Sequence, residues 1–92
     1  MAHCPPRLLD DLGVLFAELR TWSGVVEKTP GVFYARGQPF LHFHLLAGGR
    51  RRADVKGGAG WSELDLPRPA SAASRRRLLR ELRARYRETG RP

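Results

Sequence analysis

The sequence predicts an α+β domain in which an antiparallel sheet of four to five strands is covered on one face by an N-terminal and a C-terminal helix. Three observations favour this class. Apolar residues recur at helical spacing near both ends of the chain, and short β-prone segments separated by glycine and proline fill its middle. One of these segments, residues 40–46, alternates between polar and apolar side chains. The length of 92 residues suits one domain, with its ordered part expected over about residues 6–89.

The N-terminal helix is predicted over about residues 6–21. Pro6 stands at its start, where proline costs little because the first N–H groups have no partner in the helix. Asp10 and Asp11 near the start and Arg20 near the end suit the helix dipole. The apolar stripe consists of Leu8, Leu9, Leu12, Leu15, Phe16 and Leu19.

Strands are predicted over residues 25–27, 32–36, 39–46 and 52–56, while residues 61–66 form either a fifth strand or an extended tail. Turn-forming residues separate these segments. They include Pro30-Gly31, Gly48-Gly49 and the glycine-rich run 57–60.

The C-terminal helix is predicted to begin at a serine cap, Ser71 or Ser74, and to end near Thr89, with Gly90 just beyond it. Its apolar stripe consists of Leu78, Leu79, Leu82 and Tyr86. The two amphipathic helices are expected to cover the same face of the sheet.

The strand over residues 39–46 projects His42 and His44 from the face opposite its leucines and phenylalanine. Because the apolar face must be buried, pairing with the next strand through a loop of three or five residues sets Asp54 beside His42 or His44. We therefore predict a small-ligand or anion-binding site at His42, His44 and Asp54, on the sheet face away from the helices.

Two alternatives exist for these histidines. They could share a metal ion, with Asp54 as a further ligand, and His3 or Cys4 could complete a zinc site only if the N-terminal arm folds back. No C-x-x-C or H-E-x-x-H pattern supports this, so neither a metal nor another cofactor is predicted. The plainer alternative is that both histidines are half-buried sheet residues bonded to Asp54 or to the backbone.

The charge pattern predicts an anionic partner, most simply nucleic acid or another polyanion. The net charge is +8, and all but two of the 17 basic residues are arginines. The predicted phosphate contacts are Arg76, Arg80, Arg83 and Arg87 on one side of the last helix, together with Arg50, Arg51 and Arg52 in the hairpin loop. The alternatives are a solvated helix face and an arginine content that reflects GC-rich codon usage.

No catalytic motif is recognisable, so a non-enzymatic binding protein is predicted. The sequence has no G-x-S-x-G elbow, no phosphate loop and no dinucleotide fingerprint. No signal peptide is predicted, because residues 1–6 show no basic n-region followed by an h-region. No run approaches the ~20 apolar residues of a membrane helix. The single cysteine excludes an intrachain disulfide and fits a reducing compartment, so a cytoplasmic location is expected. Because no long apolar run is present, no membrane contact is expected. A protein-interaction or homodimerisation role for the open sheet face remains an alternative.

Short motifs in a fixed order accompany these patterns. They are Ser23-Gly24-Val25-Val26-Glu27, Gly37-Gln38-Pro39-Phe40, Ala53-Asp54-Val55-Lys56, Trp61 and Tyr86. Through them the chain resembles a shortened form of the bacterial MmcQ/YjbR-like domains over about residues 8–87, although Gln38-Pro39 replaces that family's Gly-Lys. The resemblance implies an α+β domain with a helix-covered sheet and a DNA-binding role suggested for the family by structural analogy. It carries over no catalytic residue.

Overall fold

The computed structural model describes residues 2–90 and confirms the predicted α+β class. Its antiparallel sheet has the strand order β2-β3-β4-β5-β6, and a short β1 pairs separately with β4. The strands are β1 (Ala2–His3), β2 (Val25–Thr29), β3 (Val32–Ala35), β4 (Gln38–Leu45), β5 (Arg51–Gly57) and β6 (Gly60–Leu66). The helices are a 3₁₀ helix (Pro6–Leu12), α1 (Gly13–Leu19), a 3₁₀ turn (Ala47–Gly49) and α2 (Ala72–Thr89).

The hydrophobic core lies between the helices and one face of the sheet. The ring of Phe16 in α1 packs against those of Phe33 and Phe43, at centroid distances of 5.2 and 5.8 Å. Leu78 and Leu82 of α2 join the same core. Tilted aromatic packing of this kind stabilises beyond the area that it buries. The two terminal helices therefore cover the same sheet face, as predicted.

The register of the β4–β5 hairpin confirms the pairing argument. Leu41 lies opposite Val55, His42 opposite Asp54 and Phe43 opposite Ala53, and the loop over residues 46–50 has the five-residue length that keeps the apolar side chains together. Because cross-strand partners point to the same face, both histidines and Asp54 lie away from the helices.

A bulge in β4 departs from the simple alternation that the sequence suggests. Phe33 pairs with Leu41, but the next residue, Tyr34, pairs with Pro39, so Phe40 has no partner in β3. Phe40 and Leu41 are consequently both buried, although they are neighbours in the chain. The extra residue lets Phe40 reach the ring of Tyr86 on α2, at a centroid distance of 6.3 Å, instead of the histidine face.

The N-terminal helix differs from its prediction because it is not one continuous α-helix over residues 6–21. A 3₁₀ helix precedes α1, and the backbone of Leu9 is non-helical (φ −116°, ψ 15°). The physical reason is that a backbone carbonyl of this segment accepts a hydrogen bond from outside the helix. The carbonyl of Leu8, which a regular α-helix would bond to the N–H of Leu12, instead accepts a 2.7 Å hydrogen bond from Arg51 Nη1.

Arg51 itself corrects the prediction that residues 50–52 form an exposed basic cluster in a loop. It lies in β5, points into the core side of the sheet, and its side chain is 0% exposed. Both terminal nitrogens lie 2.8 Å from the carboxylate oxygens of Asp11. Strand alternation buries Arg51 on the same face as Ala53 and Val55, and the carboxylate of Asp11 compensates the positive charge of Arg51.

The remaining segments resolve two open points. Residues 60–66 form a true edge strand, β6, paired along its full length with β5. Ser71, not Ser74, caps α2, because its side chain accepts a hydrogen bond from the N–H of Ser74 at 3.0 Å.

Gly57 lies at the end of β5, where Arg85 of α2 crosses the strand so closely that a Cβ at this position would lie 2.5 Å from the arginine side chain. Within residues 2–90, neither helix has the length and apolar character needed to cross a bilayer.

The Arg51–Asp11 pair makes a first prediction. Arg51→Ala should lower the free energy of unfolding by about 3–5 kcal/mol, because it strands the Asp11 carboxylate in the protein interior. Arg50→Ala, one residue earlier and exposed, should change it by no more than about 0.5 kcal/mol. Urea unfolding followed by circular dichroism measures both. Equal effects of the two substitutions would contradict the buried-pair assignment.

The same pair makes a second prediction about pH. The hydrogen bonds from Arg51 lower the pKa of Asp11 from 3.8 to about 2. The unfolded chain therefore binds a proton more readily in this range, and the stability that Asp11 contributes, about 2 kcal/mol, is present above pH ~4 and lost as the pH falls toward 2. The stability gap between wild type and Asp11→Asn should narrow by that amount over this interval.

Asp10→Asn is the matched control, since the neighbouring Asp10 carboxylate is exposed and bonds only the exposed Arg68 among the described residues. This substitution should change the free energy of unfolding by no more than about 0.5 kcal/mol, because an exposed ion pair contributes little. A parallel acid profile for Asp10→Asn and Asp11→Asn would contradict the prediction.

Candidate functional site

The sheet face away from the helices carries polar and titratable side chains from four strands. Residues on this face alternate with the buried ones, so β4 contributes His42 and His44, and β5 contributes Arg52, Asp54 and Lys56. β6 adds Trp61 and Glu63, and β1 adds His3. The predicted outward orientation of both histidines relative to the helix-covered core is therefore confirmed.

His42, His44 and Asp54, the histidine cluster, form a compact group. One ligand atom from each lies within 4.8 Å of the others, and His44 Nε2 is 3.1 Å from Asp54 Oδ2. Asp54 is only 5% exposed, whereas the two imidazoles are half-buried. The register places Asp54 directly opposite His42, and the i, i+2 spacing places both rings on the same side of β4.

Arg52 holds the Asp54 carboxylate in place. Its Nε and Nη2 lie 2.8 and 3.0 Å from the two oxygens of Asp54, and these hydrogen bonds raise the pKa of Arg52. The guanidinium also lies near Glu63, with Nη1 3.4 Å from a carboxylate oxygen. Arg52 therefore acts as a partner for carboxylates on its own sheet face and is not a free cation of the hairpin loop, which corrects the second member of the predicted 50–52 cluster.

His42 sits between two rings. Its imidazole meets His44 and Trp61 edge-on, each at a centroid distance of 4.7 Å. Burial lowers the pKa of His42 below its ordinary value of 6.5, and His44 acts in the same direction, while Asp54 opposes both. A neutral imidazole offers a nitrogen lone pair, so His42 is suited to accept a hydrogen bond or to bind a cation at neutral pH.

The N-terminal arm folds back onto this site. His3 of β1 pairs with His44 in an antiparallel register, and the N–H of Cys4 bonds the carbonyl of Phe43 at 3.0 Å. His3 therefore lies on the histidine face, whereas Cys4 turns to the opposite side and is fully buried. Burial raises the pKa of the Cys4 thiol, so the sulfur is protonated and does not join the histidine cluster.

One atom of the cluster lacks a partner. Among the described residues, His44 Nδ1 is the buried side-chain nitrogen or oxygen without a hydrogen bond. Leaving such an atom unpaired costs about 1–3 kcal/mol, and native proteins usually satisfy it with water or an ion.

His42, His44 and Asp54 do not line any of five grooves of the described surface, which lie on the loop side of β5 and β6 and around the helices. Small-molecule sites are typically clefts that bury most of their ligand. The compact donor set of the histidine cluster suits a single ion.

A second surface lies on α2, opposite its buried leucines. Its arginine stripe, Arg76, Arg80, Arg83 and Arg87, repeats at helical spacing and lines a shallow groove of about 380 Å³ together with Leu79. Arg83 Nη2 lies 2.7 Å from Glu18 of α1. No carboxylate of residues 2–90 forms an ion pair with Arg76, Arg80 or Arg87.

An aromatic pair stands at the C-terminal end of the arginine stripe. The rings of Trp22 and Tyr86 lie 5.0 Å apart and, with Arg83 and Arg87, line a neighbouring open groove. Tyr86 Oη donates a hydrogen bond to the carbonyl of Ser23 and thereby fixes the ring. The stripe and its aromatic end form one continuous basic surface.

The structure thus divides the predicted phosphate contacts. The four α2 arginines share one face, whereas Arg51 is buried with Asp11, and Arg52 is bonded to Asp54. Arg50 is the exposed member of the hairpin set. Trp61 was not predicted as a neighbour of His42, although strict alternation along residues 61–66 could have placed it on that face once the β5–β6 turn was known.

Comparison with known proteins gives no family for this chain: no protein-family model, curated protein or solved structure matches it. The resemblance to MmcQ/YjbR-like domains stays a prediction.

The histidine cluster makes a third prediction. Asp54→Asn should lower the free energy of unfolding by about 1–3 kcal/mol, because the buried carboxylate accepts hydrogen bonds from Arg52 that an amide cannot fully replace. Glu63→Gln, on the same face but exposed, should change it by no more than about 0.5 kcal/mol. Urea unfolding in the presence of a chelator measures both, and a neutral Asp54→Asn would show that the carboxylate does not organise this face.

Proposed function

We propose that this protein is a non-enzymatic binding protein that contacts the phosphate backbone of nucleic acid through the arginine stripe. The observation that carries the proposal is the set of guanidinium groups on one face of α2, of which Arg76, Arg80 and Arg87 have no carboxylate partner among residues 2–90. A stabilising role within the fold would require such partners. Their absence leaves these charges available to an external anion.

The spacing of the stripe supports a backbone-tracking mode. From Arg76 to Arg87 the helix rises about 16 Å, at 1.5 Å per residue. Four guanidinium groups over that length can contact several consecutive phosphates of one strand, and arginine binds phosphate oxygens through two parallel hydrogen bonds. The net charge of +8 adds a long-range attraction that brings a polyanion to the surface.

The other predicted contacts contribute less to the proposal. Arg51 and Arg52 are engaged within the protein, so a phosphate contact by either would require breaking a bond to Asp11 or Asp54. Arg50 is exposed and could extend the surface. The Trp22–Tyr86 pair at the end of the stripe offers an apolar edge next to Arg87, which suits a sugar or an unstacked base of a single strand.

The proposal makes a fourth prediction, about salt dependence. Binding of the protein to a fluorescent 20-mer duplex or single strand should weaken steeply between 50 and 200 mM salt, with a log–log slope of about −3 to −4 for four phosphate contacts. Arg76→Gln/Arg80→Gln/Arg87→Gln should reduce affinity about 100-fold or more at 100 mM salt and make the slope less steep by about 2–3.

The matched control removes the same number of charges elsewhere on the surface. Arg7→Gln/Lys28→Gln/Arg68→Gln alters exposed cations of the 3₁₀ helix, β2 and the segment before α2, and leaves the stripe intact. It should lower affinity less than about fivefold, because only the long-range attraction is reduced. Equal losses in the two triple variants, or no binding by the wild type at 50 mM salt, would overturn the proposal.

A further inference from the structure

The sheet face carries a second site that does not depend on the arginine stripe. The chain has 3 histidines, and all of them converge on this face, although His3 is 39 positions away from His42 in the sequence. Histidines serving only as surface residues have no reason to gather in this way. Imidazole nitrogens gathered around a carboxylate are the donor set that borderline transition-metal ions prefer.

We propose that His42, His44 and Asp54 bind a zinc ion, with His3 as the fourth ligand. The three inner residues already place one ligand atom each within 4.8 Å of one another. Tetrahedral zinc has nitrogen and oxygen ligands about 2.0–2.2 Å from the ion, and hence about 3.3 Å from each other, so the cluster needs only small side-chain rotations to close.

His3 reaches the site because β1 pairs with β4. Its Cα lies opposite that of His44, and directly opposed residues have Cβ atoms about 4.5–5.5 Å apart on the same face of the sheet. The side chain of His3 is exposed, on the same sheet face as the cluster. Cys4, the other candidate ligand near the N-terminus, is excluded because the same pairing turns it into the core.

The chemistry of the face favours a cation over an anion. An anion would need protonated imidazoles or free cations, but Arg52 is bonded to Asp54, and Lys56 lies over the Trp61 ring at 5.6 Å from its centroid. Within residues 2–90 the buried nitrogen His44 Nδ1 has no hydrogen-bond partner, as expected where an ion or a water belongs.

Arg52 is the group that zinc would have to displace from one oxygen of Asp54. It has a second carboxylate within reach, because its Nη1 already lies 3.4 Å from Glu63. Zinc and Arg52 therefore compete for Asp54. Removing the guanidinium charge should strengthen zinc binding, whereas the same change would weaken an anion site.

The test is zinc titration of the chelator-stripped protein, followed by calorimetry. We expect one zinc ion per chain for the wild type, and a melting temperature that rises with zinc concentration, because binding links β1 to β4 and β5. His42→Gln/His44→Gln should lower affinity more than about 100-fold, and His3→Gln at least about tenfold. Cobalt, used as a coloured substitute, should show tetrahedral visible bands without a thiolate charge-transfer band.

Arg52→Gln and His3→Gln keep the test decisive. Arg52→Gln should raise zinc affinity about tenfold, equivalent to about 1.4 kcal/mol. His3→Gln alters an exposed side chain of a two-residue strand, so its fold is expected to survive even if the double histidine variant unfolds, which circular dichroism without zinc will reveal.

Four results would overturn the proposal. They are no saturable zinc binding by the wild type, unchanged affinity in a folded His42→Gln/His44→Gln variant, weaker binding in Arg52→Gln, and binding of inorganic phosphate that Arg52→Gln abolishes. Unchanged affinity in His3→Gln would overturn the assignment of the fourth ligand.

Discussion

The ion pair between the buried guanidinium of Arg51 and the carboxylate of Asp11 is the interaction on which the rest of the fold depends. Its hydrogen bonds go to the Asp11 carboxylate and to the carbonyls of Leu8, Leu66 and Pro67. Removing two charges from water costs several kcal/mol per ion, and only a fully satisfied arrangement offsets that cost. The pair consequently ties the N-terminal 3₁₀ helix, the start of β5 and the end of β6 together at one point.

That point also sets where α2 begins. Asp11 accepts a further hydrogen bond from the N–H of Ala70, immediately before the Ser71 cap. The helix therefore starts at a position fixed by the ion pair and crosses β5 with its leucines toward the core. The arginine stripe, on the opposite side of the same helix, must then face away from the sheet.

The two candidate surfaces separate the charges of the chain. In the arginine stripe, Arg83 is the one member that pairs with a carboxylate of residues 2–90, while the histidine face combines Asp54 and Glu63 with Arg52. The protein is strongly basic as a whole, but on the histidine face the charge of Arg52 is compensated by Asp54 and Glu63. The two surfaces therefore offer different environments to a ligand. One suits a polyanion and the other a single cation, so the proposed activities require no shared residue.

The amino-acid pattern by itself determined the α+β class, the helix-covered sheet face and the placement of Asp54 beside one of the two histidines, because strand alternation leaves few registers. The five-residue hairpin loop of the structure then decided that this partner is His42. The amino-acid pattern also placed the α2 arginines on one face, because helical periodicity is local. Only the tertiary structure decided that Arg51 is buried, that Phe40 lies at a bulge and that His3 pairs with β4. A buried arginine needs a distant Asp11, a bulge needs a neighbouring strand, and the N-terminal arm needs a free edge of β4, and none of these partners is encoded in the local sequence.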